Sequence, residues 1–136
     1  MTTLLCTLRA QTLRRPFQFR PVHYINPSKQ EFDKIVHNGA ADRVVLVDFY
    51  ANWCGPCNVL TPVLRKVTTE QTTGSGQPLD LLTVDIENEA NGGPELATQY
   101  QVQALPTVYA FRGGKPLDKF VGALNEAGVR KFTDKL

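Results

Sequence analysis

The chain has 136 residues, enough to bury one hydrophobic core and too few for two ordinary domains, so one globular unit with a tail is expected. Its 42% hydrophobic and 21% charged content is ordinary for globular proteins, and no run of about 18 apolar residues is available to cross a bilayer, so no membrane association is expected. The formal charge of +2 conceals an asymmetry: residues 1–20 hold Arg9, Arg14, Arg15 and Arg20 and no acid, and without them 11 Lys plus Arg face 13 Asp plus Glu, a net of −2 that argues against a nucleic-acid surface.

In chain order, residues 1–20 mix Arg with Thr, Gln, Leu and Phe ahead of the first acidic residue, Glu31, in the manner of a mitochondrial transit peptide. The run from Leu4 to Leu8 is short and broken by Thr7, which disfavours a secretory signal. The mitochondrial matrix is the expected location, and the cytoplasm is the alternative if the segment is a plain extension or follows a mis-assigned start. Residues 21–136 are expected to form the folded domain. Val22 to Ile25, bounded by Pro21 and Pro27, reads as an edge strand. Ser28 and Glu31 form a capping box ahead of Phe32, Ile35 and Val36, predicting a helix that ends near Asn38-Gly39.

The β-branched and aromatic run from Val44 to Tyr50 suits a central strand covered on both faces, which makes Asp48 inside it anomalous. Val59, Leu60, Val63, Leu64 and Val67 then recur at helical spacing, with Pro62 interrupting and the helix fading by Thr68; Phe49, Tyr50, Val59 and Leu60 are assigned to packing. A loop from Thr72 to Pro78 precedes a strand from Leu79 to Ile86. Pro94 is expected at the first position of a short helix reaching about Tyr100. Val108 to Phe111 and Lys119 to Val121 flank a Gly113-Gly114 hairpin signal, and Glu126 to Leu136 closes the chain as a helix. This order predicts an α/β sandwich whose mixed sheet carries helices on both faces.

Of the three cysteines, Cys6 falls in the expected presequence, leaving Cys54 and Cys57 in the domain. A pair separated by two residues closes too small a loop to stabilise much, so chemistry explains it better than stapling. A strand running into Trp53-Cys54-Gly55-Pro56-Cys57 and then a helix puts Cys54 at the helix N-terminus, where free amides and the helix dipole favour a thiolate. Cys54 is then the nucleophile toward a substrate disulfide, and Cys57, one turn on, resolves the mixed disulfide. His23 and His37 have no ligand partners at metal spacing, and a closed zinc site would need four ligands.

The stretch Val47-Asp48-Phe49-Tyr50-Ala51-Asn52-Trp53-Cys54-Gly55-Pro56-Cys57 resembles the thioredoxin signature, with Pro62, Leu105-Pro106-Thr107, Gly114 and Gly122 following in family order over roughly Val22 to Leu136. The resemblance implies the thioredoxin fold and protein-disulfide reduction. It implies that Asp48 shuttles a proton to or from Cys57, against the competing reading of a strand-end Asp reaching solvent. It implies a cis Leu105-Pro106 bond beside the cysteines and a substrate strand pairing with Leu105, where an ordinary trans proline would otherwise be expected. Trp53 and Pro56 would form an apolar rim, with core packing the other reading for Trp53, and Gly55 would permit the tight turn. Two departures remove positive charge from the site: Asn58 stands where Lys or Arg is frequent, and Leu81 where many bacterial members place a Lys near the buried Asp. No bound cofactor is expected; electrons would come from NADPH through thioredoxin reductase, with proteins such as peroxiredoxins as substrates and a monomeric chain. An oxidase or isomerase is disfavoured by Gly-Pro between the cysteines, and a non-catalytic adaptor by the presence of both.

Overall fold

A computed structural model describes residues 20–136; the transit-peptide reading of residues 1–20 therefore lies almost wholly outside the described residues, as does Cys6. Five strands form one sheet in the order β1-β3-β2-β4-β5. β1 (His23–Ile25) and β2 (Val44–Tyr50) run parallel to β3 (Leu79–Asp85), while β4 (Thr107–Arg112) is antiparallel to β2 and β5 (Lys115–Val121) to β4.

β2 lies at the centre, and its run of apolar residues serves both faces in alternation, as the two-residue period of a strand requires. Val44 and Leu46 meet α2 (Gly55–Glu70) and α4 (Glu126–Asp134) through Leu60, Leu64, Val67, Val129 and Phe132. Val45, Val47 and Phe49 meet the opposite layer, Phe32 and Val36 from the first helical segment and Leu96 from α3 (Gly93–Gln99). Helices therefore cover both faces of a mixed sheet, as expected.

The local signals were mostly sound, and the departures have physical reasons. The Ser28–Glu31 capping box forms in full, but the first helix is one α-turn, α1 (Lys29–Phe32), that widens over Asp33–His37 so that the Asn38 amide bonds five residues back to Asp33 at 2.9 Å. α2 continues past Thr68 to Glu70, its backbone ladder closing with the Gln71 amide on the Val67 carbonyl at 3.0 Å, while the Thr68 and Thr69 hydroxyls are satisfied by the Leu64 and Arg65 carbonyls at 2.8 and 2.7 Å. In α3, Gly93 takes the first position and Pro94 the second; a Cβ on Gly93 would lie 1.9 Å from the Asp85 carbonyl oxygen. Val59 is not core: it is 67% exposed, because two residues from Cys57 turn it about 200° around the helix, away from the Cys57, Leu60, Leu64 and Val67 stripe.

The β4–β5 hairpin turns through Gly113 and Gly114, whose φ of 56° and 81° match a two-residue turn with both central residues left-handed. A Cβ on Gly114 would meet the His37 carbonyl oxygen at 2.4 Å, so the turn also locks against the first helical layer. Gly114→Ala is expected to lower unfolding stability by about 1–3 kcal/mol in denaturant titration, through left-handed strain and backbone overlap together.

Candidate active site

The C-terminal end of β2 and the start of α2 build the site. Ala51, fully buried, follows β2 and accepts the Cys54 amide at 3.1 Å, turning the chain into the helix. Cys54 is the N-cap, and its Sγ accepts the Cys57 amide at 3.2 Å, so a free helix-terminal donor points at sulfur. Cys54 and Cys57 are joined in a disulfide with Cα atoms 5.3 Å apart. Their burial is unequal: Cys54 keeps 5% exposure and Cys57 1%. Gly55 and Pro56 open the helix, where the missing proline amide costs no bond.

Beneath this turn lies Asp48, wholly buried in β2, with Thr83 of β3 and Val108 of β4 as its register neighbours. It does not reach solvent. Its Oδ2 accepts the Thr61 hydroxyl of α2 at 2.9 Å, and its Oδ1 has no partner among the described residues. Loss of solvation pushes its pKa up from 3.8 to about 6, and the Thr61 hydrogen bond opposes that rise. The register corrects one expectation. The β3 residue beside Asp48 is Thr83, whereas Leu81 pairs with Leu46 one repeat away, so Thr83 is the neutral residue that occupies the position next to the acid.

Beside Cys54, a groove is lined by Trp53, Gly55, Pro56, Ile86, Val102, Ala104 and Leu105. Leu105 also packs against the Ala51, Cys54 and Cys57 cluster, and the Leu105–Pro106 bond is cis. Pro106 is tied to the chain beyond β5 by the Gly122 amide at 2.8 Å. Trp53 is not core: it stands 68% exposed, with its indole N–H held by the Glu87 carboxylate at 2.7 Å. Asn58 is exposed one residue past the second cysteine.

Sequence reading missed Thr61, Ile86, Glu87 and Ala104. Thr61 had a usable signal, since four residues beyond Cys57 it shares that helix face; the others come from segments whose proximity only tertiary pairing creates. His23 and His37 are hydrogen-bonded to the Thr68 and Tyr100 hydroxyls at 3.0 and 2.9 Å.

Two sulfurs within bonding reach at a helix N-terminus, beside a buried carboxyl and an open groove, can alternate between dithiol and disulfide; the molecule falls in the class of dithiol oxidoreductases on an α/β sandwich. Comparison with known proteins narrows this. The Thioredoxin family model matches residues 23–135, and the chain belongs to the thioredoxin family. The thioredoxin of Mycobacterium tuberculosis is 38% identical over 96 residues, 70% of this chain and 76% of that protein. The mitochondrial thioredoxin of Bos taurus is 39% identical over 104 residues, 76% of this chain and 56% of that one. A solved mutant thioredoxin from Halobacterium salinarum matches with a TM-score of 0.65 at 28% identity, over 85% of this chain and 89% of that chain. The chain is a protein-disulfide oxidoreductase that works by dithiol-disulfide exchange through Cys54 and Cys57.

Because the folded-state pKa of Asp48 lies above its unfolded value, the folded chain holds that proton more tightly. The resulting stability is complete below about pH 4 and is lost as pH rises through about 6, leaving the ionised acid opposing folding at neutral pH by about 2–3 kcal/mol. Asp48→Asn should therefore raise the midpoint of unfolding at pH 7 and flatten the change in stability between pH 4 and 7, measured by denaturant titration across that range.

Proposed function

We propose that this chain reduces protein disulfides with Cys54 as nucleophile, Cys57 as resolving thiol and Asp48 as the proton-transfer group. The Cys54 thiolate attacks one sulfur of a substrate disulfide, forming a mixed disulfide and releasing the other substrate sulfur as a thiolate that takes up a proton. Cys57 then gives its proton to Asp48 and attacks the Cys54 sulfur, releasing the second substrate thiolate. The substrate gains two electrons, and Cys54 and Cys57 end as the disulfide. The observation that carries the assignment is the unequal setting of the two sulfurs: Cys54 caps the helix and accepts an amide N–H, while Cys57 is the more deeply buried. Helix-terminal donors stabilise a thiolate, and intramolecular placement makes the resolving step fast.

Asp48 suits the proton role because burial lifts it toward neutrality, where a carboxyl can both take and return a proton. An extended segment of substrate would lie in the groove between Trp53, Gly55 and Pro56 and the Leu105-Pro106 turn, pairing with the backbone of Leu105; the apolar walls and the exposed indole support this. Electrons would be drawn from NADPH through thioredoxin reductase, the enzyme with which the family generally works, and peroxiredoxins are among the expected substrates of a monomeric chain that binds no cofactor itself. Relatives include bacterial, chloroplastic and mitochondrial thioredoxins. The acid-free, arginine-bearing residues 1–20 and the likeness to the bovine mitochondrial protein favour the mitochondrial matrix over the cytoplasm, with residues 21–136 as the working domain.

Insulin reduction driven by NADPH and thioredoxin reductase tests the assignment on residues 21–136. Cys54→Ser and Cys57→Ser should each abolish turnover, and only Cys57→Ser should accumulate a covalent substrate adduct, visible by non-reducing mass analysis. An adduct on Cys54→Ser instead would reverse the two roles. Asp48→Asn should remain folded and slow the resolving step.

A further inference from the structure

Thr61 stands where the two halves of the site meet. It lies on the inner side of α2, half-buried, four residues beyond Cys57, and its hydroxyl reaches two acceptors: Asp48 Oδ2 at 2.9 Å and the Cys57 carbonyl oxygen at 3.1 Å. A hydroxyl has one proton to donate, so it serves one of these at a time. Ionised Asp48 is the stronger acceptor and takes it. When the acid is neutral, Oδ2 accepts more weakly and the proton can turn to the Cys57 carbonyl. Asp48 Oδ1, meanwhile, is buried and without a partner among the described residues.

We propose that Thr61 is a positioning residue for proton transfer at Asp48: it holds Oδ2 and leaves Oδ1 as the atom that exchanges a proton with Cys57. This rests on the proton-transfer reading of Asp48. The proton leaves Cys57 Sγ as that sulfur bonds to Cys54, resides on Oδ1, and is returned from there when the disulfide is next reduced. The surroundings make Thr61 the main control on the acid. Thr83 from β3 and Val108 from β4 flank Asp48 without charge, the Thr61 hydroxyl lies between the carboxyl and the Cys57 carbonyl on α2, and among the described residues the Thr61 hydrogen bond is the influence that opposes loss of solvation. A threonine that merely folds back on its own helix would contact Cys57 and not Asp48.

The test compares Thr61→Val, which keeps the shape, with Thr61→Ser, which keeps the hydroxyl, each alone and combined with Asp48→Asn. Two quantities are read: the titration of the Asp48 carboxyl carbon by NMR in the reduced protein, and the pH dependence of mixed-disulfide resolution in single turnover. Thr61→Val should move the carboxyl titration and the acid limb of the rate upward together by about one pH unit, a severalfold loss of rate near pH 6. Thr61→Ser should restore both, and Thr61→Val should add nothing to Asp48→Asn. A carboxyl titration unmoved by Thr61→Val, or an equal slowing in the Asp48→Asn background, overturns the proposal while leaving Asp48 its role. If Asp48→Asn itself resolves the adduct at the wild-type rate and pH profile, the underlying reading of Asp48 fails, and the positioning role falls with it.

Discussion

The pairing of β2 on both of its edges is the constraint from which the site follows. β3 bonds along all seven of its residues in parallel and β4 along five in antiparallel, so the strand can neither slide nor twist out without breaking two ladders. Its alternating side chains also join the two hydrophobic layers, which makes a register slip of one residue exchange the whole apolar set between faces. The end of so fixed a strand is a fixed point in space. Ala51 and the Cys54 amide carry that fixity into the first turn of α2, and the cysteines inherit a position that a loop between mobile elements could not hold.

The same strand carries the cost of the chemistry. Asp48 occupies a central position in a run of valine, leucine and phenylalanine, where an apolar residue would pack without loss of solvation. A neighbouring cation would relieve the burial of its charge, yet Thr83 and Val108 beside it are uncharged, and among the described residues the hydrogen bond donated to it comes from Thr61. The arrangement trades folding free energy for a carboxyl that titrates near neutrality, a frequent exchange at functional sites. On the outer side the design is opposite: Trp53 is left in solvent, steadied by one hydrogen bond to Glu87, and the groove it borders is open to an incoming chain.

Most of the architecture could be read from the residues because it rests on short-range rules. The capping box at Ser28, the β-branched run of β2, the helical spacing after the cysteines and the paired glycines before β5 each act within a few residues, where side-chain periodicity and backbone preference decide the outcome. The cysteine pair was legible for the same reason, since strand, turn and helix follow one another in the chain and deliver Cys54 to a helix N-terminus. Helical spacing failed for Val59 because a recurring apolar residue says which turns are possible and not which side meets the sheet; the sheet lies against Leu60 and Leu64.

What only the tertiary structure decided is what neighbours what across the sheet. The residue beside Asp48 is Thr83 and not Leu81, a matter of parallel register between strands more than thirty positions apart, on which local sequence is silent. The groove joins Trp53 to Leu105 and Ile86, and the acid joins Thr61, through packing of elements that share no local pattern. The sequence by itself thus determined the reacting sulfurs and the element that presents them, because their chemistry needs only a helix end. The depth of the acid, its Thr61 donor and the walls of the groove beside the cysteines required the assembled fold, because burial and desolvation are properties of the surroundings a residue acquires and not of the residue.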